Sequence, residues 1–132
     1  MTDPPWSFGE ATVLRTAGMI QLSVAALGVV APASLFGAWA LPWAEPATFL
    51  RVVLLTWAAL GFALLRASRL PRRESRLLVE TIGIVKLGFV GVIVVDILAR
   101  KLPSAAGIGA ILDLVLGMAL LRAGRRPVAS TP

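Results

Sequence analysis

Four apolar runs, each about as long as a bilayer is thick, decide what this chain can become. They cover residues 11–31, 47–65, 77–98 and 105–121. A hydrocarbon core about 30 Å deep is crossed by about 20 apolar residues in a helix. Between the runs lie prolines and arginines, which break helices or stay in water. A soluble helical domain is the alternative, and composition argues against it. The chain has 132 residues, 58% of them hydrophobic, with a mean hydropathy of +0.85. Soluble domains hold about 45–50% apolar residues. The expectation is an all-α membrane protein: a four-transmembrane-helix antiparallel bundle forming one domain over residues 11–122. Short connections between the later spans favour that up-and-down order. Residues 1–10 form a polar cytoplasmic lead, and residues 123–132 a disordered, basic cytoplasmic tail.

The first run invites a signal-peptide reading, because "APA" (31–33) and "AWA" (38–40) resemble small-residue cleavage sites. The lead, however, carries Asp3 and Glu10, and the one positive charge in this region is Arg15, near the start of the run. The run is expected to stay as a span. Residues 32–49, "PASLFGAWALPWAEPATF", form the longest connection. Pro32, Pro42 and Pro46 forbid one continuous helix there. Its aromatic content predicts an interfacial segment between helices 1 and 2, anchored by Trp39 and Trp43. A lid over a binding cavity is the functional alternative. Trp6 is expected as a further interfacial anchor.

The formal charge is +6, and its distribution sets the topology. Four spans leave both termini on one side. That side holds Arg15, the loop "RASRLPRRESR" with Arg66, Arg69, Arg72, Arg73 and Arg76, and then Arg122, Arg125 and Arg126. The other side holds Arg51, Arg100 and Lys101. Nine against three predicts that both termini are cytoplasmic in a multi-pass protein of the cell inner membrane. The loop and tail arginines are expected to contact anionic lipid. No nucleic-acid module accompanies them, so no nucleic-acid partner is expected. Small residues recur within the spans, including Gly18, Gly28, Gly83, Gly88, Gly91 and Gly117. They let membrane helices approach closely, although no strict GxxxG falls within a span.

Two charges interrupt the apolar runs. Lys86 sits in "ETIGIVKLGFVGVIVVDILAR", ten residues beyond Arg76, or about 15 Å along a helix. Asp113 lies nine residues before Arg122, about 13 Å from the same boundary. The two therefore stand at matched mid-membrane depth on adjacent helices. An unpaired charge there costs about 2.5–3.5 kcal/mol on insertion scales. An ion pair is the expected solution, either as a structural clip or as the polar centre of a cavity. Gln21 either bonds between helices or joins that centre. Asp96 with Arg100, and Arg76 with Glu80, have helix-pair spacing.

The chain has no cysteine and no histidine. Disulfides, thiol chemistry, and zinc or haem ligation through those residues are excluded. No nucleophile–base pair and no phosphate loop is present. Acid–base work on a lipid by Asp113 and Lys86 is the remaining enzymatic route, so no enzyme, cofactor or metal is expected. "LRTAG" (14–18), "VVAPASLFG" (29–37), "FLRVVLLTWAALGFALLRASRLPRRESR" (49–76) and "AILDLVLGMALL" (110–121) together resemble the small four-helix bacterial membrane proteins of the DoxX-like type. The resemblance covers residues 14–122. It implies a four-helix membrane fold and, for some members, association with membrane oxidoreductase complexes. The function expected is an accessory or interaction subunit, as a homo-oligomer or within a larger membrane complex. The alternative is a small transporter or permeation module centred on Lys86 and Asp113.

Overall fold

The computed structural model describes residues 5–38 and 48–126. All regular structure among them is helical. The helices are α1 (Phe8–Val30), α2 (Pro32–Ala38), α3 (Thr48–Ala67), α4 (Arg72–Leu98) and α5 (Gly107–Arg125), with a 3-10 turn, Ser104–Ala106, leading into α5. Among the described residues three segments, Phe8–Val30, Arg72–Leu98 and Ser104–Arg125, are long and apolar enough to cross a membrane. Val30, Leu77 and Leu98 are each at least 75% exposed. In water such faces would associate; in a bilayer they meet lipid.

Three boundaries differ from the sequence expectation, each for a local reason. α1 begins at Phe8 because Ser7 and Glu10 form a reciprocal capping box. The Glu10 N–H donates to Ser7 Oγ at 3.3 Å, and the Ser7 N–H donates to Glu10 Oε2 at 3.0 Å. Part of the polar lead is therefore the first turn of α1. α4 begins at Arg72, behind Pro71 at the N-cap. Proline needs no hydrogen-bond partner at a helix start, so most of the arginine stretch is helical. α5 continues to Arg125, so residues 123–125 belong to it and not to the tail. Trp39 and Trp43 lie outside the described residues, as do residues 127–132. The described part of the connection is α2, whose buried Leu35 faces Gly28 of α1.

α4 ends in a Schellman turn. The Lys101 N–H donates to Asp96 O, and the Arg100 N–H to Ile97 O. Arg100 occupies the left-handed position, with φ 57°. The expected Asp96–Arg100 pair does not form. The turn swings Arg100 away, and Lys101 Nζ lies 3.7 Å from Asp96 Oδ1 instead.

α1 packs along α3, and α4 packs along α5. Each pair crosses at two glycines. A Cβ on Gly18 would lie 2.8 Å from Gly61 O, and one on Gly61 would lie 2.9 Å from Gly18 O. Gly83 and Gly117 repeat the contact, at 3.1 and 3.2 Å from each other's carbonyl oxygen. The flanking leucines match as well. Leu65 covers Gly18 as Leu121 covers Gly83, and Leu22 covers Gly61 as Leu87 covers Gly117.

This equivalence is written in the sequence. "LGFALLRASRLP" (60–71) and "LGMALLRAGRRP" (116–127) share nine of twelve residues. "RTAGMIQL" (15–22) aligns with "ETIGIVKL" (80–87). The α1–α3 and α4–α5 pairs are thus two copies of one unit. The buried core follows the duplication: Leu14 and Val79, Ala17 and Ile82, Leu64 and Leu120, and Ala67 and Ala123 are corresponding positions, and all are buried. The two units meet where α1 faces α5 and α3 faces α4.

Candidate functional site

Lys86 falls at the middle of the 27-residue α4, and its side chain points inward, leaving the residue 8% exposed. Asp113 stands one helical turn from Gly117 on α5, the helix that Gly83 brings close. Lys86 Nζ donates to Asp113 Oδ1 at 2.5 Å. The two side chains are 10% and 16% exposed. Close glycine packing is what lets a single lysine reach across. In a low-dielectric setting each charge neutralises the cost of the other, while desolvation limits any net gain.

The other unit supplies the opposite wall. Gln21 corresponds to Lys86 in the repeat, and Trp57 to Asp113. All four line one cavity of about 20 Å³, with Leu112 beside them. That volume holds a single water and no larger solute. Gln21 is 6% exposed, and its Oε1 has no hydrogen-bond partner among the described residues. Gln21 thus faces the charged centre. Trp57 meets Phe89 of α4 edge to face, with ring centroids 5.5 Å apart and planes at 85°, which ties α3 to α4 beside the cavity.

A second constellation forms at the arginine-rich end. Arg72 was expected at the lipid surface; instead it is 6% exposed. Its Nη1 lies 3.5 Å from Glu10 Oε1. Its Nη2 donates to Ala123 O at 2.7 Å and to Arg126 O at 2.5 Å, capping α5. Its guanidinium stands 5.1 Å from the Trp6 ring centroid. Trp6, expected as an outward anchor, is also buried, at 5% exposure. Its Nε1–H lies 3.0 Å from both Ala67 O and Ser75 Oγ. The two corrections share one reason: helix C-terminal carbonyls need donors, and Trp6 and Arg72 supply them. Ala67 and Ala123 are corresponding repeat positions, so each unit is capped at the same place by the residue entering its first helix. Sequence reasoning missed Glu10 here, although the S-x-x-E spacing of its capping box was readable.

The remaining arginines separate into classes. Arg76 Nε pairs with Glu80 Oε1 at 2.7 Å. Arg66, Arg69, Arg73, Arg122, Arg125 and Arg126 are exposed. Among the described residues no group of three or more His, Cys, Asp or Glu is placed to hold a metal ion. Compared with protein-family models, with characterised proteins and with solved structures, the chain gives no match.

Proposed function

We propose that this chain is an accessory or interaction subunit of the inner membrane, crossing it four times as an antiparallel bundle with both termini in the cytoplasm. α3 is the fourth span in this reading, since it is 20 residues long and packs along α1. The arginine bias supports the orientation. The proposal includes kinship with the DoxX-like proteins, on the residues that carry that resemblance.

One observation carries the functional choice. The polar centre is narrow: Lys86 and Asp113 satisfy each other beside a cavity of about 20 Å³. A centre this small locks helix register and offers a solute no room. Function then resides on the outer faces, where lipid or another membrane protein binds. The second reading, a small transporter or permeation module, draws on the buried Gln21 Oε1 facing the same cavity. Reconstituted vesicles separate the two. The subunit reading expects no solute or proton flux above protein-free vesicles, and a membrane partner that co-purifies through intact spans. Flux abolished by Asp113→Asn would overturn it in favour of transport.

A further inference from the structure

The duplication gives the exposed arginines a pattern. Arg66 and Arg69 in the first unit correspond to Arg122 and Arg125 in the second. All four lie at the end of α3 or of α5, on the side held together by Trp6 and Arg72. None has a carboxylate partner among the described residues, whereas Arg72 has Glu10 and Arg76 has Glu80.

Each pair closes one end of an open groove. The first groove, about 360 Å³, is lined by Phe62, Leu65, Arg66, Arg69 and Leu70. The second, about 650 Å³, is lined by Ile84, Leu87, Met118, Leu121, Arg122 and Arg125. Under the repeat Phe62 becomes Met118 and Leu65 becomes Leu121. Two separate surfaces therefore carry the same design: a cationic rim of two guanidinium groups and an apolar floor beginning one helical turn further in.

We infer that each groove seats one anionic glycerophospholipid, two per chain. Planar guanidinium donors match phosphate oxygens in a fork geometry. Two uncompensated positive charges favour a headgroup with net negative charge over a zwitterionic one. The floor takes the glycerol and the first acyl methylenes, which a soluble anion lacks. The inference rests on the membrane-spanning reading above.

The test is native mass spectrometry of the full chain, released from mild detergent after titration with phosphatidylglycerol or phosphatidylcholine. Two phosphatidylglycerol molecules should bind, with a preference over phosphatidylcholine on the order of tenfold. R66Q/R69Q should remove one and R122Q/R125Q the other, while R73Q, which alters an exposed arginine outside both grooves, keeps both. These arginines have no carboxylate partner among the described residues, so thermal unfolding should be unchanged in all variants. Equal binding of the two lipids would overturn the inference, as would an equal loss in R73Q, which would indicate diffuse surface charge. Failure of the underlying reading looks different: the chain would leave the membrane fraction on alkaline washing.

Discussion

The paired glycines make a prediction with an internal control. Replacing glycine by alanine inside a helix gains about 1 kcal/mol of intrinsic propensity. At Gly88 and Gly91 an added Cβ meets nothing within 4 Å, so both substitutions should be neutral or stabilising. At Gly18 the new methyl lies 2.8 Å from Gly61 O, a backbone atom that cannot rotate away. Ordinary contact needs about 3.4 Å or more, so the helices must part by roughly half an ångström along their crossing. Overpacking of this kind costs about 1–3 kcal/mol, and parted helices also lose dispersion contacts, the main attraction between helices in lipid. Gly18→Ala and Gly61→Ala should each lose about 1–2 kcal/mol net of propensity. Gly83→Ala and Gly117→Ala, with contacts of 2.9–3.2 Å that include movable leucines, should lose less. Equilibrium unfolding in mixed micelles, followed by helical circular dichroism, reads the series. If Gly18→Ala is as benign as Gly88→Ala, the close crossing of α1 and α3 is wrong.

Arg72→Leu strands Glu10 in a buried site, and about 3 kcal/mol should be lost in the same unfolding assay. Adding Glu10→Gln should restore part of it, and Arg72→Lys should not rescue fully, because lysine lacks the fork that reaches Glu10 through Nη1 and the α5 carbonyls through Nη2. Trp6→Phe removes the donor to Ala67 O and Ser75 Oγ and should cost about 1–2 kcal/mol. Arg100→Gly relieves a left-handed residue and should raise stability by about 1 kcal/mol, read as a higher melting temperature.

Much of the architecture was legible because membrane helices announce themselves by length. Residues 77–98 read as a span from composition alone, and their distances from Arg76 and Arg122 put Lys86 and Asp113 at one level, where their side chains meet. Charge type, by contrast, does not separate Arg72 from Arg73. One turns inward only because Glu10 and the end of α5 are there to receive it, and those contacts are set by tertiary packing. Trp6 misled for the same reason: an indole suits a headgroup layer or a buried carbonyl equally well. The duplication is readable in residues 60–71 and 116–127. It is obscured because the first unit has the longer connection: 43 positions separate Gly18 from Gly61, against 34 from Gly83 to Gly117. It is obscured too because the polar centre has diverged, with Gln21 and Trp57 standing where the second unit has Lys86 and Asp113.

The central claim is that a largely buried ion pair locks the helices and that no solute passes it. A stability cycle in mild detergent tests this most directly, using Lys86→Met, Asp113→Leu and the double variant. Each single change leaves one charge buried, and a loss of about 3 kcal/mol is expected. The double variant removes both charges and should recover most of that loss, giving a strong coupling energy. Singles that are tolerated, with effects that simply add, would contradict the account and assign Lys86 an environment of its own.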